Sequence, residues 1–322
     1  MLDLEWTALG WLLLEGPEQW VIVGGWGSAS AEFSEGLSRN MGLKLVKPVF
    51  KLFPDEEEYV RIEGDISGFT GAIVVQSFER PASRSLVYSL LIADALKEAG
   101  VGRIVLMAPY MGYTRQDRVF LPGEPVSVRA VMRALASSGY NALASIEVHK
   151  EYVLDYFDGS TLNIFPFTYM LKETGISCGD NTIIVAPDKG SLPRVERLAR
   201  ETGCRSYGYL VKERDRITGE VRLAKSTVDP RGKNAIVVDD IISTGGTIAL
   251  ASQWLLENGA NSVFVLAAHY LGIGNAEEKM MKAGVSRVVT GNTLPRKPSK
   301  IVTYVDLTGL AAGQLTKLVS NL

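Results

Sequence analysis

The chain has little of several features that mark other protein classes. Its two cysteines, Cys178 and Cys204, are too few for a disulfide framework, and neither lies in a Cys-x-x-Cys metal pattern. This usage points to a reducing, cytoplasmic setting. Neither charge is in excess: 34 Lys and Arg against 36 Asp and Glu give a formal net charge of -2. A nucleic-acid partner would need a basic footprint that is missing here, so any phosphate-bearing ligand must be held locally. A membrane span needs about 20 predominantly apolar residues. The apolar N-terminal stretch "LGWLLLEG" falls short, because Asp3, Glu5 and Glu15 interrupt its surroundings and no basic segment precedes it. It reads neither as a span nor as a signal peptide. It reads as a short amphipathic helix packed on the body or on a neighbouring subunit, and no membrane partner is expected.

What is present is apolar material in short runs. Of 322 residues, 46% are hydrophobic and 22% charged, enough for two ordinary domains with real cores. The runs "WVIVGG", "GAIVVQS", "RIVLMAPY", "NTIIVAPD", "NAIVVDD" and "NSVFVLAAHY" alternate with helix-length segments. Fully apolar β-branched runs spaced in this way predict an α/β fold whose mainly parallel sheets are covered by helices on both faces.

The chain also repeats itself. Ala72 to Tyr110 and Ala235 to Tyr270 share the order strand, loop, helix, Gly, strand, with Val75 aligned on Val238 and Gly100 on Gly259. Two similar halves therefore meet near residue 165. The copies differ at the loop: Gln76 and Ser77 stand where the second copy has Asp239 and Asp240, and "FERPASRS" replaces a glycine-rich segment. Only the second half keeps an acidic-glycine loop.

That loop, "VVDDIISTGGTI", is expected at the carboxyl edge of a parallel sheet, where open α/β folds bind ligands. The strand should end at Asp239-Asp240. Gly245 and Gly246 let backbone approach a ligand, and Ser243, Thr244 and Thr247 add hydroxyls where a helix starts near Ile248. Free N–H groups and the helix dipole make an anion cradle there. No lysine follows the glycines, so this is not a Walker loop. Two carboxylates beside such a cradle suit a sugar phosphate, the acids accepting from vicinal hydroxyls, with indirect help in holding Mg²⁺. The competing reading is a capped turn, which strands two carboxylates at the end of a buried strand without compensation.

On these residues the segment resembles the phosphoribosyl diphosphate (PRPP) motif of the type I phosphoribosyltransferase fold, which binds ribose and its 5-phosphate. Five further segments resemble those of the ribose-phosphate diphosphokinases, or PRPP synthetases. "KLFPDEEEYVRI" is similar to that family's F-S-D-G-E segment at Phe53, Asp55 and Glu57, an aromatic face with carboxylates for adenine. "PYMGYTRQDRVF" is similar to its nucleotide segment, which implies ATP contacts for Arg115, Gln116, Asp117 and Arg118. "SIEVHKEY" and "IIVAPDKGSLPRVERLA" put forward His149 and Asp188 as metal positions, although imidazole is an unusual Mg²⁺ ligand. His269 reads as structural. "YLVKERDRITGEVRL" reads as a charged hairpin-like flap, and the resemblance implies closure of Lys212 and Arg214 over the transferred group.

The resemblance spans Trp20 to about Leu310. It implies two phosphoribosyltransferase-like domains, 20–165 and 166–310, after an extension at 1–19 and before a tail at 311–322. It also implies an enzyme that makes PRPP and AMP from ATP and ribose 5-phosphate with Mg²⁺, working as a homo-oligomer of at least two copies because Phe53, Asp55 and Glu57 complete a neighbour's adenine pocket. A transferase that consumes PRPP and a silent regulatory relative are the competing classes. The first has no need of "TRQDR" or "FPDEE", and the second predicts damage at Lys212, Arg214, His149 or Asp188, all of which are intact.

Overall fold

A computed structural model describes residues 19–64, 66, 68–214 and 221–322, with side chains for all of these except 212–214, 221, 222 and 224. The N-terminal extension expected to be helical lies outside the described residues. The chain divides into two compact units. One runs to Ile164 and includes Thr293–Pro295 and Leu307–Leu322; the other is Phe165–Asn292 with Arg296–Asp306.

The first unit contains β1 (Trp20–Gly24), α1 (Ser28–Met41), β2 (Lys44–Val46), β3 (Val49–Leu52), β4 (Glu58–Arg61), β5 (Gly71–Val75), α2 (Ala82–Glu98), β6 (Arg103–Ala108), α3 (Ser127–Ser138), β7 (Ala142–Ile146) and β8 (Ser160–Ile164). Its six-stranded sheet has the order β2-β1-β5-β6-β7-β8 and every pairing is parallel. All five residues of β1, β5 and β7 are buried, as the continuous apolar runs predict. The covering helices are one-sided: α3 buries Val128, Val131, Met132 and Leu135, the spacing of a single helical face. Strands β3 and β4 form a separate antiparallel hairpin.

The second unit contains α4 (Phe167–Thr174), β9 (Thr182–Ala186), α5 (Leu192–Thr202), β10 (Tyr207–Arg214), β11 (Val221–Ser226), β12 (Asn234–Ile242), α6 (Gly246–Glu257), β13 (Ser262–Tyr270), α7 (Ala276–Lys282), β14 (Val285–Gly291) and β15 (Val302–Val305). The sheet order is β11-β10-β9-β12-β13-β14-β15, parallel throughout except for the β10–β11 pair. With β11 set aside, the order matches the first sheet strand for strand. The repeat legible around one loop therefore extends across the whole sheet.

Two features differ from the sequence reading. The segment set apart as a tail carries a helix, α8 (Thr308–Val319), that packs on α1 of the first unit. Thr308 sits over Gly36, where an added Cβ would lie 2.6 Å from its methyl group, and its hydroxyl accepts from the Asn40 amide at 2.9 Å. Cys178 and Cys204 are joined in a disulfide, with Cα atoms 5.4 Å apart. The bridge ties the segment before β9 to the segment after α5. Two cysteines do not make a framework, but they make one staple, and their sequence separation of 26 gave no local sign of it. No helix among the described residues is long and apolar enough to cross a membrane.

Candidate active site

Strand β12 carries both acids, but it does not stop at them. Pairing with β13 continues to Ile241 on His269 and Ile242 on Tyr270, and α6 begins at Gly246, slightly before the expected start. The acids therefore lie within the edge of the sheet. Asp240 is 4% exposed, and the side chain of Asp239 is 13% exposed. His269, read as structural, is buried in β13.

The compensation that the sequence reading found missing is supplied by the neighbouring strand's loop. Because β9 pairs with β12, with Val185 opposite Val237, the segment after β9 arrives beside Asp239. The Ser191 hydroxyl donates to Asp239 Oδ1 at 2.8 Å, and the Asp240 amide donates to the same oxygen at 3.1 Å. The Arg194 guanidinium lies 3.5 Å from Asp239 Oδ1 and 3.6 Å from Asp240 Oδ1, with its own side chain only 8% exposed. One buried cation thus serves two buried anions. Burial, reinforced by the charge of Asp240, raises the Asp239 carboxyl well above the usual range, while Arg194 and Ser191 oppose the shift. Neither Ser191 nor Arg194 was picked out from sequence. The available signal was an arginine three residues after a serine in the first turn of a helix that follows an Asp-Lys-Gly loop.

The cradle follows directly. Gly245 caps α6 with a φ of 74°, and a Cβ there would meet the Ala276 carbonyl oxygen at 2.9 Å, so conformation and space both call for glycine. A glycine cap provides no side-chain acceptor, which leaves the first-turn N–H groups of α6 to a ligand. Thr244, Gly246 and Thr247 are exposed and Ser243 is half-buried. The loop is braced from behind, where Leu271 and Ile273 amides donate to the Ile242 and Ser243 carbonyls at 2.9 Å.

Asp188 closes the loop after β9. Its Oδ1 accepts from the Gly190 amide at 2.9 Å, its side chain is half-buried, and Lys189 is exposed. Lys212 and Arg214 belong to β10, paired antiparallel with β11 in register with Leu223 and Val221, which makes the flap a hairpin. Their side chains, and residues 215–220, lie outside the described residues.

The first unit carries the other candidates. In the β3–β4 hairpin the Phe53 amide donates to Glu57 O and the Glu56 amide to Phe53 O, both at 2.9 Å, with Glu56 at a φ of 69°. The turn presents Phe53, which is 41% exposed, together with exposed Asp55 and Glu57. After β6, Arg115 and Arg118 face solvent, while Gln116 is held by the Ser127 hydroxyl. Asp117 turns inward and accepts from the Tyr152 hydroxyl at 2.5 Å, a bond that lifts the Tyr152 phenol to about 12 with help from burial. His149 is half-buried just past β7, behind Glu147 with its φ of 41°. No group of three His, Cys, Asp or Glu side chains that could hold a metal occurs among the described residues. Mg²⁺ is typically held by one or two protein ligands, waters and substrate phosphates, so a sparse donor set fits it better than a closed cage would.

A duplicated parallel α/β unit with one acidic-glycine loop defines a phosphoribosyltransferase-fold protein built from two copies of the domain. A family model described as the N-terminal domain of ribose phosphate pyrophosphokinase matches residues 23–139, and one described as the phosphoribosyl transferase domain matches residues 173–294. The chain is 40% identical over 297 residues to a ribose-phosphate pyrophosphokinase of Sulfurisphaera tokodaii, covering 92% of this chain and all of that one. It is 40% identical over 275 residues to one from Pyrococcus abyssi, covering 85% and 93% of the two chains. The crystal structure of phosphoribosylpyrophosphate synthetase from Mycobacterium smegmatis is similar over 95% of this chain and all of that one, with a TM-score of 0.85 and 26% identity. The chain belongs to the ribose-phosphate pyrophosphokinase family.

Proposed function

We propose that the chain transfers the β,γ-diphosphoryl group of ATP to the C1 hydroxyl of ribose 5-phosphate, releasing PRPP and AMP. The observation that carries this reading is the pair of acids beside a glycine-capped helix start, a place for vicinal hydroxyls next to a place for a phosphate. The first-turn amides of α6 and the hydroxyls of Ser243, Thr244 and Thr247 hold the 5-phosphate. Asp239 and Asp240 accept from the ribose hydroxyls. With its carboxyl raised by burial and by the neighbouring charge, Asp239 is poised to take the C1 proton near neutral pH. The C1 oxygen then attacks the β-phosphorus in line, the bond from that phosphorus to the α,β-bridging oxygen breaks, and AMP departs with the electron pair. Such transfer depends on positioning and charge neutralisation more than on covalent help.

Phe53, Asp55 and Glu57 receive adenine, and Arg115 and Arg118 pair with the polyphosphate, with Gln116 and Asp117 shaping that segment. Lys212 and Arg214 neutralise the charge that builds on the transferred group and the leaving oxygen. His149 and Asp188 would hold Mg²⁺, which when bound supplies positive charge to the phosphates of ATP. The hairpin acts on a neighbouring copy, so the working form is at least a dimer, and the enzyme is cytoplasmic.

Incubation with ATP, Mg²⁺ and ribose 5-phosphate should yield AMP and PRPP in equal amounts. AMP formation that ignores the sugar, or no AMP at all, would overturn the reading. Light scattering alongside the assay tests the oligomer, since a fully active monomer is incompatible with a hairpin shared between copies.

A further inference from the structure

A buried arginine set against two buried carboxylates invites a functional account. Arg194 lies in the first turn of α5, next to Val195, which with Leu198 and Ala199 forms the helix's buried face. Charged side chains on amphipathic helices normally face water, and a buried guanidinium is tolerated only when paired. Its partners include the two acids assigned to the ribose hydroxyls.

We infer that Arg194 is the positioning residue of the ribose site, holding Asp239 and Asp240 side by side as acceptors. The inference rests on the reading that these acids bind ribose. Two adjacent carboxylates buried together repel, and without a cation one of them retains a proton. A protonated carboxyl presents a donor where a ribose hydroxyl needs an acceptor. A single nitrogen, Arg194 Nη1, stands between Asp239 Oδ1 and Asp240 Oδ1, and the rigid plane of the guanidinium fixes its place in a way that the flexible stem of a lysine does not. Ser191 fixes the same Asp239 oxygen from the same loop. Asp188, Ser191 and Arg194 therefore make one short segment that joins the proposed diphosphate loop to the ribose acids. Arg194 acts through the carboxylates.

The test compares Arg194→Ala, Arg194→Lys and Asp240→Asn in the full-length protein, reading kcat, KM for ribose 5-phosphate, KM for ATP and the melting temperature of each. Arg194→Ala should raise KM for ribose 5-phosphate at least tenfold with KM for ATP within twofold, and Arg194→Lys should recover part of the loss. If Arg194→Ala does not fold, Arg194→Lys still has to raise the sugar KM several-fold while melting normally. An unchanged sugar KM in a folded Arg194 variant, or equal rises in both KM values, overturns the inference. Asp240→Asn separates the two claims: if it leaves the sugar KM unchanged, the ribose reading itself fails. If it raises that KM and the Arg194 variants do not, only the role of Arg194 fails.

Discussion

The two units share a strand order and place their loops at the same sheet positions, yet they fill those loops in opposite ways. In the first, Gln76 stands where the second has Asp239, and its amide is satisfied within the unit. Gln76 Oε1 accepts from the Trp26 amide at 2.8 Å, and its Nε2 donates to Trp26 O at 2.9 Å and to the Ser30 hydroxyl at 3.1 Å. Glu79, 5% exposed, lies against the N-terminus of α1, where the Ser28 and Ala29 amides favour its charge. An added Cβ on Gly27 would fall 1.3 Å from its Oε1. The first unit has supplied its own acceptor and its own anion. The second keeps two acids with one cation between them and a helix start without a side-chain cap. A loop closes when a neutral amide can be matched by nearby backbone. In the proposed function, the loop that keeps its charged residues is the binding site.

The same comparison holds for the appendages. Each unit carries an antiparallel hairpin ahead of the third strand of its parallel core: β3–β4 with Phe53 in the first, and in the second β10–β11 with Lys212, where β10 is itself the core strand beside β9. In the proposed function the first hairpin serves recognition and the second serves chemistry. The largest expected effect separates them. Lys212→Ala should lower kcat by about 100- to 1000-fold, the usual cost of removing one donor to developing charge, while leaving ATP binding near its original strength. Steady-state kinetics with a nucleotide-binding measurement checks this, and equal loss of both would cancel the contrast between the hairpins.

The next effect concerns stability and belongs to the second unit alone, since the first has no cysteine. A bridge closing a loop with a sequence separation of 26 should contribute about 3 kcal/mol through the unfolded chain. Cys178→Ser should lower the melting temperature, and a reductant should do the same to the unaltered protein but nothing more to the variant. A variant that melts as the unaltered protein does would remove the bridge from the account.

Much of this was legible in the sequence, and what was not has physical reasons. The aligned Val75 and Val238 exposed the duplication, and unbroken apolar runs marked buried parallel strands, because burial on both faces leaves no polar alternation. Gly245 was readable as a place where backbone approaches a ligand; that its turn also calls for glycine came from the structure. Arg194 was not readable. By composition it sits in a charge-rich amphipathic helix, and only the β9–β12 register brings its first turn to Asp239. The cysteines and α8 were hidden for a related reason, as both depend on contacts distant in sequence. The inward turn of Asp117 toward Tyr152 also has no local signature, so a polar run that looked uniform divides into exposed arginines and a buried acid.

A smaller effect should follow from the base of the first hairpin. Arg84 Nε contacts Glu58 Oε1 at 3.1 Å and its guanidinium lies 5.5 Å over the Trp26 ring. Tyr88 packs edge-on to Phe50 at 4.8 Å and donates its hydroxyl to Lys51 O at 3.3 Å. These contacts tie β3 and β4 to α2 and to the loop after β1. A partly buried ion pair with a cation–π contact is worth about 1 kcal/mol. Arg84→Ala should therefore raise KM for ATP about fivefold and leave that for ribose 5-phosphate alone, the reverse of the pattern expected at Arg194. Equal effects on both substrates would mean that the hairpin has no separate role.

The smallest effect tests whether the first unit's loop really carries its own anion. Burial raises Glu79 from 4.5 to about 7, against the Ala29 and Ser28 amides that favour its charge, and its Oε1 has no hydrogen-bond partner. Because the folded value is the higher one, the native state keeps this proton between pH 4.5 and 7 while the unfolded chain releases it. Stability should therefore fall as pH rises through that window and change no further, on this account, above it. Glu79→Gln keeps the shape and cannot ionise. Its melting temperature should match that of the unaltered protein near pH 4.5 and exceed it above pH 7 by about 2–4 °C, on the order of 1 kcal/mol. A difference that does not grow with pH would mean that Glu79 keeps its charge without penalty at the start of α1. The first unit would then hold an anion as comfortably as the second is built to do, and the contrast between a filled loop and an open one would have to rest on Gln76 alone.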